Sequence, residues 1–192
     1  MSACRKISIL GATGSVGRAA IDVIAGARGS ETEFSVVSVT ANANVELLAS
    51  QAKQLGAQFA AVADEQLYED LKTALAGTGI AVGGGATALV EAASANADCV
   101  VSAIVGVASL ESTLAAVQSG ANVALANKES MVCAGPLLKE TARRSGATIL
   151  PIDSEHNAIF QVLDRPERVE KVTLTASGGP FRTRTLEQMK VA

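Results

Sequence analysis

The sequence predicts an α/β fold with a doubly wound, mostly parallel sheet. Two observations carry this prediction. Short, β-branched apolar runs alternate with longer segments of helical spacing, and the alternation gives way to a polar, less regular stretch after Pro151. Near-continuous apolar strands between amphipathic helices are typical of a parallel sheet that is covered on both faces. In such a sheet, ligands bind at the carboxyl ends of the strands.

The individual elements follow from these local patterns. The predicted strands are residues 6–10, 34–40, 58–63, 99–103, 122–125 and 147–150. The predicted helices are residues 16–27, 45–55, 66–76, 86–95, 110–119 and 130–144, and the glycine run at 83–85 starts one of them. After a domain boundary near Ile152, the pattern predicts a short helix over residues 158–163 and a strand over 169–175.

Composition narrows the class of protein. A length of 192 residues suits one complete α/β domain and a modest further segment. The 16 basic and 19 acidic residues form no basic stripe, which argues against a nucleic-acid partner. No apolar run approaches the ~20 residues that span a membrane. The cysteines, Cys4, Cys99 and Cys133, are odd in number and far apart, so we expect no disulfide framework or zinc cage and a cytoplasmic location.

A glycine turn follows the first predicted strand and opens the next helix. Its sequence is Gly11-Ala-Thr-Gly-Ser-Val-Gly17, with glycines spaced as in the dinucleotide-binding fingerprint of Rossmann-like folds. Gly11 permits the tight turn, Gly14 lets a pyrophosphate approach the backbone, and Gly17 lets helix and strand pack closely. A glycine turn that only joins strand to helix is the alternative.

The end of the second strand is where a dinucleotide site distinguishes NAD from NADP. Here the chain reads Asn42-Ala43-Asn44, with no carboxylate to repel a 2′-phosphate, and this favours NADP. Asn44 is also a candidate cap for the helix that begins at Val45. Both interpretations can hold together.

Two carboxylates separated by one residue, Asp153 and Glu155, follow the last predicted strand. Such a pair can place oxygen ligands on one hard cation, Mg²⁺ or Mn²⁺. The alternative is a helix start capped by Asp153 or Ser154, with Glu155 complementing the helix dipole. His156, the only histidine, is more typical of a structural hydrogen-bonding residue than of a base here.

Two further motifs place polar side chains at a predicted helix start and at a predicted glycine turn. Asn127, Lys128 and Glu129 follow a strand and begin a helix, so they lie at the edge where ligands gather or form a solvated helix start. Thr175-Ala-Ser-Gly-Gly-Pro-Phe181 contains Ser177 in a glycine turn, which is either a phosphate cradle or a plain tight turn.

Taken in order, the motifs at 11–17, 125–129, 151–161 and 175–181 resemble the 1-deoxy-D-xylulose 5-phosphate reductoisomerase family. The resemblance implies an NADPH- and metal-dependent enzyme of the non-mevalonate isoprenoid pathway, which converts 1-deoxy-D-xylulose 5-phosphate to 2-C-methyl-D-erythritol 4-phosphate. It also implies an NADPH-binding domain over residues 1–152, the first segment of an α+β catalytic domain over residues 153–192, and a homodimer at full length.

The resemblance also assigns roles by position. The cofactor-binding residues would be Thr13, Gly14, Ser15, Val16, Asn42, Ala43, Asn44, Asn127 and Glu129. The metal ligands would be Asp153 and Glu155, which with Lys128 form the catalytic set, and the substrate-binding residues would be Lys128, Ser154, Glu155 and Ser177.

Two departures from the family pattern affect these expectations. Ala43 stands where many relatives carry a basic residue, and the sequence stops before later family motifs, so we expect these 192 residues alone to lack turnover. The alternatives are a stand-alone NADPH-binding module without catalysis, or another oxidoreductase such as a semialdehyde dehydrogenase. The second lacks support because no cysteine lies in a nucleophile motif with a partner histidine.

Overall fold

A computed structural model of the chain describes residues 3–27, 29, 32–163, 165–173, 178–179 and 181–191. The chain divides into two compact units, Met1–Asp153 and Ser154–Ala192. In the part of the chain that the structure describes, no helix is both long and apolar enough to cross a membrane.

The first unit is built on a seven-stranded sheet in which every neighbouring pair is parallel. The strand order is β4-β3-β2-β1-β5-β6-β7, so β1 is central and the chain runs outward from it first to one side and then to the other. The strands are β1 (Ala3–Leu10), β2 (Thr32–Ala41), β3 (Phe59–Val62), β4 (Ala81–Gly84), β5 (Cys99–Ser102), β6 (Asn122–Leu125) and β7 (Ile149–Pro151).

Six helices of this unit alternate with the strands and cover both faces of the sheet. They are α1 (Ser15–Gly26), α2 (Val45–Leu55), α3 (Tyr68–Ala74), α4 (Gly85–Ser94), α5 (Leu110–Gln118) and α6 (Lys128–Ser145). Short 3-10 helices at Glu65–Leu67 and Val107–Ser109 precede α3 and α5. This is the doubly wound α/β arrangement that the sequence predicts.

The apolar core lies in two layers, one on each side of the sheet. Adjacent residues of β1 face opposite layers: Ile9 packs with α1, α2 and α3, whereas Leu10 packs with α4, α5 and α6, and both are fully buried. Because side chains alternate along a strand, a strand that is covered on both faces must be apolar throughout. This explains the near-continuous apolar runs in the sequence.

β4 is a strand that the sequence patterns do not predict. Its residues, Ala81 to Gly84, pair with β3 at the edge of the sheet, and helix α4 begins at Gly85 as expected. A Cβ atom at Gly83 would lie 2.7 Å from Cζ of Phe59 and 2.6 Å from Cβ of Ala88. Its neighbours therefore leave no room for side chains at Gly83 and Gly84, and Val82 is the one β-branched residue of the strand, too weak a signal to predict it.

The second unit contains helix α7 (Ser154–Val162), a 3-10 helix at Pro166–Arg168 and a short helix α8 (Leu186–Met189). The expected strand over residues 169–175 is wrong for residues 169–173, and residues 174 and 175 lie outside the described part. A strand needs a neighbour for its backbone hydrogen bonds, and the described residues of this unit contain no other strand. The predicted helix over 158–163 is α7, which begins four residues earlier.

Candidate functional site

A cleft of about 220 Å³ opens at the carboxyl ends of β1, β5 and β6. It is lined by residues 14–16, 103–105 and 126–129, all in the first unit. The cleft lies where the strand order reverses between β1 and β5, which is where doubly wound sheets bind their ligands. The structure thus brings the glycine turn and the start of α6 together at one site.

The glycine turn links β1 to α1 with the geometry that its spacing predicts. Gly11 has a φ of 84°, in the left-handed region, and a Cβ atom there would lie 2.8 Å from the Ala103 carbonyl oxygen. Gly14 is the N-cap of α1 and provides no side-chain acceptor for the first-turn N–H groups. These N–H groups therefore present the positive end of the helix to the cleft, an arrangement that suits a phosphate.

Three hydrogen bonds from β2 and α2 hold this turn in place. The N–H of Gly11 donates to Oγ1 of Thr40 at 3.0 Å, and the N–H of Ala12 donates to the Thr40 carbonyl at 2.7 Å. The side chain of Gln51, 5% exposed, donates from Nε2 to the Ala12 carbonyl at 3.1 Å. Because each bond crosses from a distant part of the chain, the shape of the turn depends on the packing of β2 and α2.

The segment after β2 is exposed and lies at the carboxyl edge of the sheet. Oδ1 of Asn44 accepts a hydrogen bond from the N–H of Leu47 at 3.1 Å, which confirms Asn44 as the N-cap of α2. The N–H of Asp64 donates to the Asn42 carbonyl at 3.1 Å, so the end of β3 runs beside this segment. Ala43 brings no charge to it.

At the start of α6, one buried and two exposed side chains follow one another. Asn127 is 3% exposed and is the N-cap, with Oδ1 accepting from the N–H of Ser130 at 2.7 Å. Its Nδ2 donates to the carbonyls of Ile104 and Gly106, both at 2.9 Å. Lys128 and Glu129 are exposed at the cleft, where they can meet a ligand.

Three of the predicted metal and substrate residues, Asp153, Ser154 and Glu155, are consecutive in the chain where the first unit ends and the second begins. Asp153 is the last residue of the first unit and is half-buried, while Ser154 and Glu155 are exposed in the first turn of α7. Ser177 lies outside the described residues. Among the residues that are described, no group of three or more His, Cys, Asp or Glu side chains is arranged to hold a metal ion.

Cys99 and Glu140 are two groups of the first unit whose pKa values are shifted. Burial raises the pKa of the Cys99 thiol at the start of β5. Hydrogen bonds from Arg143 and Arg144 lower the pKa of the Glu140 carboxyl, which accepts from them at 2.7–3.0 Å on the surface of α6. Neither group lines the cleft, so these shifts belong to the scaffold and not to the site.

Several residues that shape the cleft are not among the predicted site residues. Gln51 occupies a core position of α2 beside Leu48 and Ala52, and a polar residue on the apolar face of a helix is a signal that points to a buried hydrogen bond. Ser109 and Ser130, both fully buried, bond each other through their hydroxyls at 2.8 Å. No local pattern marks them, because they lie 21 residues apart, at the starts of α5 and α6.

Comparison with known proteins identifies relatives across nearly the whole chain. Residues 7–135 match the family model described as 1-deoxy-D-xylulose 5-phosphate reductoisomerase, and residues 149–192 match its C-terminal domain. The chain is 52% identical over 190 residues to 1-deoxy-D-xylulose 5-phosphate reductoisomerase of Rhizobium etli strain CIAT 652. That alignment covers 98% of this chain and 48% of the relative, so the chain spans about half the length of the curated relatives it matches.

Solved structures of the same enzyme have the same fold. The reductoisomerase from Zymomonas mobilis in complex with NADPH is 48% identical, with a TM-score of 0.86 over 99% of this chain and 50% of that one. A reductoisomerase in complex with NADPH, fosmidomycin and magnesium is 38% identical, with a TM-score of 0.81 over 98% of this chain and 49% of that one. With a family model that matches most of its length, this chain belongs to the 1-deoxy-D-xylulose 5-phosphate reductoisomerase family.

Proposed function

We propose that residues 1–152 form the NADPH-binding domain of an enzyme and that residues 153–192 form the first segment of its catalytic domain. The enzyme converts 1-deoxy-D-xylulose 5-phosphate to 2-C-methyl-D-erythritol 4-phosphate in the non-mevalonate isoprenoid pathway. The observation that carries the proposal is the cleft at the strand-order reversal, where a fingerprint glycine turn faces the start of α6. The relatives that contain NADPH and magnesium support the same cofactors here.

The pyrophosphate of NADPH fits the glycine turn. Gly14 lines the cleft without a Cβ atom, and the first-turn N–H groups of α1 face the same space. Thr13, Gly14, Ser15 and Val16 would hold the phosphates through these N–H groups and through the hydroxyls of Thr13 and Ser15. Thr40 and Gln51 hold the backbone of the turn in that shape.

The adenosine end of NADPH would lie along Asn42, Ala43 and Asn44 at the end of β2. No carboxylate of this segment opposes a 2′-phosphate, and the exposed amides of Asn42 and Asn44 can donate to it. With Ala43 at this position, the segment supplies no cation, so the preference for NADPH over NADH rests on hydrogen bonds.

The nicotinamide end would enter the cleft between the loop after β5 and the start of α6. Asn127 and Glu129 would border it, and Lys128 would reach a substrate oxygen or phosphate from the same turn. Bound NADPH supplies the hydride that reduces the aldehyde formed by rearrangement of the substrate. The apolar side chains of Ile104 and Val105 line the cleft and would exclude water from this end.

Asp153 and Glu155 are the proposed metal ligands, and their oxygens suit Mg²⁺ or Mn²⁺. Two carboxylates are part of a ligand set, and substrate oxygens would complete it together with further groups. The metal would act as a Lewis acid toward the carbonyl and hydroxyl oxygens of the substrate. Ser154 and Ser177 would join Lys128 and Glu155 in holding the substrate, and we propose that these 192 residues bind cofactor without turnover by themselves.

The enzyme is further proposed to work as a homodimer in the cytoplasm. The functional test uses a protein of full family length that carries these residues, with 1-deoxy-D-xylulose 5-phosphate, NADPH and Mg²⁺. We expect NADPH consumption together with formation of the branched polyol phosphate, detected by phosphorus NMR. Both should require Mg²⁺ or Mn²⁺.

Asp153→Asn should abolish this turnover while NADPH binding is retained, because the change removes one metal ligand and leaves the cleft intact. Glu167→Gln is the matched control: Glu167 is an exposed carboxylate outside the proposed site, and its loss should not change the rate. Metal-independent turnover, or full activity of the Asp153 variant, would contradict the proposal.

A further inference from the structure

The two loops on the α6 side of the cleft are joined by one buried side chain. Nδ2 of Asn127 donates to the carbonyls of Ile104 and Gly106, which lie 23 and 21 residues earlier in the loop after β5. Oδ1 of the same side chain accepts from the N–H and from the Oγ of Ser130, at 2.7 and 2.8 Å. Two carbonyls on one side and an N–H on the other leave a single orientation for the amide.

This arrangement uses the whole hydrogen-bonding capacity of the Asn127 side chain. A primary amide has two N–H donors and an oxygen with two lone pairs, and each has a partner here. The side chain cannot donate to a ligand without releasing a carbonyl of the loop after β5, because both of its N–H donors are used there. Its role in the cleft is therefore to hold the two loops together, and the ligand meets the surfaces that it holds.

The side chain of Asn127, with its bonds to Ile104, Gly106 and Ser130, forms a clamp between the two loops. Two buried serines extend this clamp. Oγ of Ser130 lies 2.8 Å from Oγ of Ser109, and Oγ of Ser109 lies 3.1 Å from the Gly106 carbonyl. Oγ of Ser130 also contacts Oδ1 of Asn127, so the two serine hydroxyls take part in three contacts between oxygen atoms. Two hydroxyls supply two protons, so two of these three contacts are hydrogen bonds at any time. Removal of one hydroxyl removes a proton that the others cannot replace.

The clamp controls the shape of one half of the cleft. Residues 103–105 and 126–129 form the walls that it joins, whereas the glycine turn on the other side is held separately by Thr40 and Gln51. In a doubly wound fold, the pyrophosphate lies on the glycine turn, the adenosine lies toward β2, and the opposite end of the dinucleotide lies toward β5. The clamp therefore acts on the nicotinamide half alone.

We propose that Ser109 and Ser130 are positioning residues for the nicotinamide end of the cofactor and act through Asn127. This inference rests on the proposed function, because it takes the ligand of the cleft to be NADPH. The two serines contact no ligand themselves: both are fully buried. Their hydroxyls set the separation of the two loops that receive the nicotinamide.

The test compares two ligands that share the adenosine half. NADPH contains both halves, and adenosine 2′,5′-bisphosphate contains only the adenosine half with its 2′-phosphate. Ser130→Ala should weaken NADPH binding by roughly five- to tenfold, because the loops relax in the free protein and binding must restore their separation at a cost comparable to about one net hydrogen bond. It should leave the affinity for the bisphosphate unchanged. Ser109→Ala, which removes the outer hydroxyl, should shift the same ratio in the same direction.

Thr113→Val is the matched control. Thr113 is fully buried on α5, and its hydroxyl bonds that of Ser102 at 2.8 Å, so the change also removes a buried hydroxyl pair but leaves the clamp intact. A purely structural role of the serines would make all three variants lose stability in a thermal melt with no change in the ratio of the two affinities. That result would overturn the inference while leaving NADPH as the ligand.

Failure of the unaltered chain to bind NADPH would overturn the proposed function and this inference with it. Should Ser130→Ala fail to fold, Ser109→Ala decides the matter. An unchanged affinity ratio in that variant would refute the role of the serines, and a selective loss for NADPH would support it.

Discussion

Gly17 has no room for a side chain, and a single methyl group there tests how the glycine turn is built. A Cβ atom at this position would lie 2.2 Å from the Gly11 carbonyl oxygen and 2.7 Å from Cα of Ala12. Both atoms belong to the backbone, so no side chain can rotate away to relieve the contact. The turn would have to move by roughly 1 Å to restore ordinary van der Waals distance.

The expected cost of Gly17→Ala follows from two opposing terms. Overpacking against backbone costs about 3 kcal/mol, at the upper end of the usual range. Replacing glycine by alanine inside a helix returns about 1 kcal/mol. The free energy of unfolding should therefore fall by about 2 kcal/mol. NADPH affinity should fall at least about tenfold, because the displaced turn carries the groups proposed to hold the pyrophosphate.

Gly26→Ala is the control, because Gly26 ends the same helix and a Cβ atom there meets nothing within 4 Å. It should leave NADPH affinity unchanged and raise the free energy of unfolding by no more than about 1 kcal/mol. Urea denaturation and fluorescence titration measure the two quantities. If Gly17→Ala is as stable as the unaltered chain and binds NADPH equally well, helix α1 is not packed against the turn as described.

Two further substitutions and one labelling experiment test the phosphate site, the 2′-phosphate site and the burial of Cys99. Gly14→Ala places a methyl group 3.3 Å from the Gly11 carbonyl oxygen, at a residue that lines the cleft. NADPH affinity should therefore fall about tenfold, while the free energy of unfolding changes by less than about 1 kcal/mol. Equal affinity would show that no pyrophosphate approaches this backbone. Ala43→Lys adds a cation beside the proposed 2′-phosphate site. The preference for NADPH over NADH should rise roughly fivefold at low salt and less at high salt. A preference independent of salt would place the 2′-phosphate elsewhere. Burial raises the pKa of the Cys99 thiol, so less thiolate forms at a given pH. Iodoacetamide should therefore alkylate Cys99 more slowly than exposed Cys133 at mildly alkaline pH, as read by mass spectrometry of peptides. Equal rates would contradict this burial.

Local sequence patterns predict the parts of this fold that depend on local chemistry. The apolar runs predict six of the strands because these strands supply residues to the two apolar layers of the sheet. The glycine spacing predicts the turn because Cβ atoms at Gly14 and Gly17 would both meet the Gly11 carbonyl oxygen within the turn itself. β4 escapes prediction because the side chains of Phe59 and Tyr68 leave no room for side chains at Gly83 and Gly84, so Val82 is its one β-branched residue.

The clamp and the supports of the glycine turn depend instead on contacts between distant residues. Gln51 reaches the turn across 39 residues, and Ser109 reaches Ser130 across 21. A single sequence contains no record of which buried polar groups meet. The expected strand over residues 169–175 fails at residues 169–173 for a related reason, because β propensity gives no information about whether a neighbouring strand exists to pair with it.

We propose that the cleft binds NADPH, and a fluorescence titration of this chain with NADPH, paired with NADH, tests this most directly. We expect saturable binding of NADPH, with weaker binding of NADH, and loss of the signal when adenosine 2′,5′-bisphosphate competes for the adenosine half. A chain with a folded circular-dichroism spectrum that binds neither dinucleotide would contradict the claim.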